Sequence, residues 1–263
     1  MTSSIPRLVG MVHLLPLPGS PRFGGSMDEV VEIAISDAEV LVDAGFPALL
    51  VENFGDAPFY ADSVPTVTIA AMTAAAAAVG ETQVPFGVNV LRNDAKGALA
   101  VAAATGAGFI RVNVLTGIMY TDQGPIVGRA AEVQRDRFQL CPDVEVWADV
   151  MVKHATPPAG LEARQTVEDT IERGLADAVV ISGSGTGSEP DLALSRQIRD
   201  AAPNGTRLVV GSGASTNNLD ALLEVADTFI VGTSIKVDRD PGNRPDPLRA
   251  KAFVEKAVER GLL

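Results

Sequence analysis

Residues 86–124 read FGVNVLRNDAKGALAVAAATGAGFIRVNVLTGIMYTDQG. Val88 and Val90, and then Phe109, Ile110, Val112 and Val114, form short apolar runs of strand length. Between them Asp94 is placed to cap an alanine-rich helix that stops at Gly106. Polar residues collect where each run ends: Asn89, Arg92, Asn93 and Asp94 after the first, Asn113, Thr116, Thr121 and Asp122 after the second. Parallel strands joined by a helix present ligand-binding groups at their carboxyl edge, so the spacing predicts that both groups line one surface.

Working outward, the same unit recurs. Further strands are expected at 8–12, 48–51, 144–150, 178–181, 208–210 and 228–231. Ser26 and Glu29 form a capping box for a helix that stops near Gly45, and another helix is expected over 66–79. Pro125 suits the first turn of a fourth helix running to about Phe138. Later helices are expected to end at about Arg173, to be capped by Ser188 with Asp191 and by Ser215, and to close the chain over roughly 246–260. Eight such units without a composition break predict one (β/α)8 TIM barrel spanning residues 1–263, with a doubly wound open sheet as the alternative. The helix-to-strand connections are brief, whereas the strand-to-helix connections are long and rich in Gly, Pro, Asn, Asp and Thr. In a barrel the long set forms the catalytic face.

Composition narrows the classes of function. Net charge is −12, with 33 acidic against 21 basic residues, which argues against nucleic-acid binding. No apolar run approaches the roughly 20 residues of a membrane span, and the N-terminus lacks the pattern of a secretory signal. A lone cysteine, Cys141, excludes an internal disulfide, so a cytoplasmic location is the default expectation. The acidic, lysine-poor composition suits either a high-salt cytoplasm or a high-GC genome. A homo-oligomer that is steadier in salt is expected.

Strand-end residues supply the candidate chemistry. The turns Gly211-Ser212-Gly213-Ala214 and Gly232-Thr233-Ser234 follow the last two strands, where barrels often hold a substrate phosphate on bare backbone N–H groups. The alternative is that these glycines only relieve crowding. Lys153 follows a buried strand beside His154 and four residues after Asp149, and alternation puts Asp149 and Lys153 on one side if the strand stays regular. Lys153 then acts as base, imine-forming amine or, held charged by Asp149, as oxyanion stabiliser; a rim salt bridge is the alternative. His13 and His154, the two histidines, both fall at carboxyl strand ends. Glu52 and Asp56, with Asn89 and Asn113, suit sugar hydroxyls or a divalent cation, although no close-spaced zinc signature is present. Asn89, Arg92, Asn113, Thr121, Asp122, Ser182 and Thr186 are candidate substrate contacts, with the reservation that Arg92 and Arg111 can pair with acidic neighbours instead. No P-loop occurs, and no other cofactor signature is legible.

The segments GMVHLLPLPGSP (10–21), ENFGD (52–56), NVLRND (89–94), FIRVNV (109–114), TDQG (121–124), ADV (148–150) and VKHA (152–155) resemble the BtpA family, and the resemblance runs over about residues 8–240. It implies a barrel. Its name-giving members are linked to photosystem I biogenesis, while SgcQ-like members accompany sugar-phosphate operons, and it brings no catalytic assignment. Two classes of function follow. One is an enzyme acting on a phosphorylated sugar or nucleoside-derived pentose, as an isomerase, an epimerase or an aldolase-type lyase. The other is a non-catalytic assembly or stability factor for photosystem I. Histidine, lysine, asparagine and aspartate at strand ends favour the enzyme, because a scaffold has no reason to place them there.

Overall fold

Runs of four to six residues dense in Val, Ile, Leu and Phe are buried on both faces, as parallel strands covered by helices must be. The computed structural model describes residues 6–151, 154–183 and 185–263. In chain order the strands are β1 (Leu8–His13), β2 (Leu49–Glu52), β3 (Phe86–Asn89), β4 (Phe109–Val112), β5 (Ile118–Thr121), β6 (Gly124–Val127), β7 (Glu145–Asp149), β8 (Ala155–Thr156), β9 (Ala178–Ile181), β10 (Arg207–Val210) and β11 (Thr228–Val231). Eight of them close a parallel barrel in the order β1-β2-β3-β4-β7-β9-β10-β11, with β11 returning to β1. The helices α1 (Met27–Ala44), α2 (Thr66–Gly80), α3 (Ala95–Thr105), α4 (Ala130–Leu140), α5 (Ala163–Glu168), α6 (Leu192–Ala201), α7 (Leu219–Leu222) and α8 (Pro247–Glu259) follow the barrel strands in turn. The fold is the (β/α)8 barrel that the eight strand signals predict.

Local signals set most helix ends. Ser26 accepts from the Glu29 N–H at the start of α1, and Gly45 ends it in the left-handed conformation. Asp94 caps α3 through the Gly97 N–H, and Gly106 terminates it the same way. Three expectations are corrected. Pro125 lies not in a helix but in β6, which pairs antiparallel with β5; β8 adds a third strand, and α4 begins only at Ala130. Proline is accommodated there because β6 is an edge strand. Asp191, without Ser188, caps α6. After Ser215 the chain makes only the single helical turn of α7.

Inside the barrel, alternate residues form a closed cluster of Val9, Met11, Ala48, Leu50, Phe109, Trp147, Ala178, Val180, Val209 and Ile230. The larger core lies between the strands and the helices. At the amino end of the barrel Phe109 stacks on Trp147, with ring centres 4.0 Å apart and planes at 21°. The Arg207 guanidinium lies 5.8 Å above Trp147, and Trp147 Nε1 and Arg207 both donate to Glu145. Gly87 makes room for this stack, because a Cβ there would stand 2.5 Å from the Phe109 ring. Gly87→Ala should therefore lower stability by about 1–3 kcal/mol, the usual cost of overpacking, read as a lower urea midpoint at unchanged slope.

Candidate active site

Strand register builds the site. His13 on β1 lies beside Glu52 on β2, and Glu52 beside Asn89 on β3. All three occupy inward positions, continuing the alternation of Val9 and Met11 and of Ala48 and Leu50, so the interior changes from apolar to polar at the carboxyl ends. His13 Nδ1 sits 2.8 Å from the Pro241 carbonyl oxygen. A carbonyl only accepts, so Nδ1 carries the hydrogen and Nε2 is the nitrogen turned toward Glu52, 3.6 Å from Oε1. The imidazole also stacks on Phe54, with centroids 4.2 Å apart. Asn89 donates to the second Glu52 oxygen at 2.6 Å. Position and orientation of this His–Glu pair are thus fixed from three sides.

Beneath it lies a buried ion pair. Arg111 on β4 donates to both oxygens of Asp149 on β7 at 2.8 Å, and both side chains are about 1% exposed. Arg111 also donates to the Gly211 carbonyl at 3.1 Å and to Ser182 at 3.3 Å. Burial works against the Arg111 charge, and the Asp149 carboxylate overcomes it, so the guanidinium titrates above an ordinary arginine. Asp149 is therefore held by Arg111, with Asn113 donating at 3.3 Å. The regular strand on which the alternation is conditional ends at Asp149, and Met151 turns with φ +49°. Lys153 itself lies outside the described residues.

A cavity of about 740 Å³ opens over these groups. One flank is apolar, with Leu14, Leu15, Phe54, Phe59 and Leu91. The other carries Arg92, Asn113, Asp122, Gln123, His154 and Thr186. Arg92 is 5% exposed, and its burial lowers its pKa from the ordinary arginine value. The Asn113 Oδ1 atom is buried without a partner among the described residues, an acceptor available to a hydroxyl. His154 accepts from the Thr186 N–H at 3.1 Å. Asn89 reaches the cavity only through Glu52, and Thr121 is spent on the β5–β6 turn, bonding the Gly124 carbonyl and the Gln123 N–H. Asp56 turns away to the Leu17 N–H and Asn53. Among the described residues no three His, Cys, Asp or Glu side chains are grouped as metal ligands.

A second cavity, about 490 Å³, is lined by Gly187, Gly213, Ala214, Thr233, Ser234 and Arg239. A third, small pocket of about 20 Å³ shares His13, Glu52 and Thr186 with the first cavity and Thr186, Gly213 and Thr233 with the second, and Gly211 and Gly232 also line it. The glycines here also relieve crowding. A Cβ on Gly211 would stand 2.7 Å from the Arg111 guanidinium, and one on Gly213 would strike the Ser188 carbonyl. The buried hydroxyls of Ser212, lining the small pocket, and Ser234, lining the second cavity, have no hydrogen-bond partner among the described residues.

Sequence reading did not single out Lys236, which is 1% exposed and donates from Nζ to the Asn243 carbonyl at 2.8 Å. Burial lowers its pKa from 10.5 to about 8, against the opposing pull of Asp37, Glu52 and Asp240. The available signal was a lysine next to a strand-end turn in a chain with only five lysines.

Two measurements test this electrostatic arrangement. Arg111→Met strands Asp149 without compensation and should cost about 3–5 kcal/mol, whereas adding Asp149→Leu should recover most of it. For Lys236 the unfolded chain binds the proton more tightly than the folded one. Its contribution to stability should therefore rise as pH increases from about 8 to 10.5 and be absent in Lys236→Met, as read by unfolding midpoints across that range.

Similarity to known proteins extends along the whole barrel. The model of the BtpA family matches residues 5–259. The chain is 46% identical over 253 residues to the photosystem I biogenesis protein BtpA of Synechocystis sp., covering 96% of this chain and 88% of that one. It is 48% identical over 258 residues to the uncharacterized protein TK2179 of Thermococcus kodakarensis, covering 96% and 95%. Among solved structures it resembles phosphoribosyl anthranilate isomerase from Thermus thermophilus, with a TM-score of 0.58 at 12% identity over 97% of this chain and 99% of that one, a likeness of fold. Matched along nearly its whole length, the chain belongs to the BtpA family.

Proposed function

We propose that this protein is an enzyme that moves a proton next to the carbonyl of a phosphorylated sugar or nucleoside-derived pentose, in an isomerase, epimerase or aldolase-type lyase reaction. The observation that carries the reading is the His13–Glu52 pair, beside a small pocket lined by Gly211, Ser212 and Gly232 and a second cavity lined by Gly213 and Ser234, with both serine hydroxyls unpartnered among the described residues. In this reading the phosphate sits against Gly213, Thr233 and Ser234, and the sugar extends toward Glu52. Glu52 takes the proton from the carbon beside the carbonyl. Nε2 of protonated His13 donates to the developing oxyanion, and the enediol regains a proton at the neighbouring carbon as an isomerase product or on the opposite face of the same carbon as an epimerase product. In the aldolase-type reaction Glu52 instead takes the proton of the hydroxyl on the carbon beyond, the carbon–carbon bond breaks to release an aldehyde, and the enolate left behind is protonated at carbon. Buried Arg92 adds positive potential, and Asn113 Oδ1 accepts from a substrate hydroxyl. Lys153, on sequence grounds alone, adds a further charge. The apolar flank holds the part of the substrate that lacks polar groups.

Solved barrels of like fold include enzymes named for phosphate-bearing compounds, such as thiamine phosphate pyrophosphorylase from Pyrococcus furiosus. They lend the reading analogy only. The name of the Synechocystis relative points to photosystem I biogenesis. A polar pair fixed in one orientation favours catalysis over a scaffold role.

A thermal-shift screen of sugar phosphates should identify a ligand that raises the unfolding midpoint. With that ligand, Glu52→Gln should cut turnover by roughly 10²–10⁴-fold while the fold persists. Ser234→Ala should weaken binding of inorganic phosphate. A complete screen without a stabilising sugar phosphate would overturn the reading.

A further inference from the structure

The loop between β11 and α8 contributes Pro241 to both cavities, and its carbonyl holds His13 Nδ1. That loop is not relaxed. Asp238 and Arg239 both adopt left-handed backbone, with φ +54° and +56°. Non-glycine residues persist there only where the surroundings hold them. The holding contacts are concentrated at the loop's stem. Val237 N–H donates to the Arg244 carbonyl, and Lys236 bridges Pro245. The Asp240 carboxylate accepts from the Gly242 N–H and shapes the turn that carries Pro241. Arg244 donates to buried Asp37 on α1 at 2.7 Å. At the centre is Lys236, buried at 1% exposure, its Nζ on the Asn243 carbonyl.

A buried lysine is costly, and neither cavity is lined by Lys236. What its ammonium reaches is the backbone two residues beyond Pro241. Asp37, Glu52, Asp240 and Arg244 are the charged groups that act on it. We infer that Lys236 is a positioning residue for His13: it fixes the loop 236–246 so that the Pro241 carbonyl holds the hydrogen on Nδ1 and leaves Nε2 facing Glu52 and the cavity. The inference rests on the proposed use of His13 as proton donor. Its physical content, which nitrogen carries the hydrogen, is independent of any substrate.

The test is long-range ¹H–¹⁵N NMR of the imidazoles in the whole, unliganded protein. Only two histidines are present, so the His154→Asn variant assigns His13. In the native protein His13 Nδ1 should keep the shift of a protonated nitrogen across the pH range in which the ring becomes neutral. In Lys236→Met the neutral ring should become a mixture with Nε2–H, and Lys236→Arg should restore part of the native signal. Arg244→Met, which cuts the second anchor, should shift the mixture the same way to a smaller extent. If Lys236→Met fails to fold, Arg244→Met carries the test alone. A native Nε2–H tautomer, or a folded Lys236→Met or Arg244→Met protein with the native Nδ1–H signal alone, would overturn the inference. Once a substrate is found, Lys236→Met should lower kcat by roughly 10-fold with KM nearly unchanged, as expected for an outer partner that orients a histidine. Unchanged tautomers with lost turnover, or a failed substrate screen with the predicted tautomer shift, would separate the failure of this inference from failure of the proposed reaction.

Discussion

An arginine and an aspartate inside a closed barrel can exist only as a pair, and much of the carboxyl half of the interior is arranged around that requirement. Arg111 and Asp149 come from neighbouring strands, β4 and β7, and meet through two parallel hydrogen bonds. Two further guanidinium N–H groups go to the Gly211 carbonyl and to Ser182. Gly211 has no side chain because the guanidinium occupies that space. Asn113 closes the aspartate side. With its hydrogen bonds so directed, the pair acts as a rigid charged floor on which the cavity above is laid.

On that floor the upper layer is kept polar without being loose. Glu52 is oriented by Asn89 and faces His13, and His13 is clamped between Phe54 and Pro241. The same loop that clamps His13 borders the second cavity, so the region proposed for an anion and the region proposed for proton transfer share a wall. That shared wall is what a barrel enzyme needs when a phosphate handle must fix the distance to a reacting carbon.

The structure also shows why residues of one chemical type take different parts. Asn89 serves Glu52, whereas Asn113 serves Asp149 and keeps one oxygen unpartnered at the cavity among the described residues. Thr121 closes a hairpin turn, whereas Thr186 lines the cavity and engages His154. Gly106 and Gly45 end helices in left-handed backbone, whereas Gly87 and Gly211 give way to larger neighbours in the barrel wall. Side-chain chemistry is the same within each group. The neighbour decides the role.

Short apolar runs and helix caps are local properties, so the sequence by itself determined the eight barrel strands, the caps at Ser26, Asp94 and Asp191, and the placing of His13 and Glu52 at strand ends. Closure of the barrel is not local. Only the tertiary structure brought Asp149 to Arg111, 38 positions apart, and Pro241 to His13, 228 positions apart. It also turned Pro125 into an edge strand, because β5 and β8 offered a sheet to extend where the helix-start signal counted only the proline's own φ. The burial of Lys236 was not legible for the same reason. A lysine's burial depends on which loop folds over it, and that loop is held in part by Arg244 on Asp37 of α1, 207 positions away.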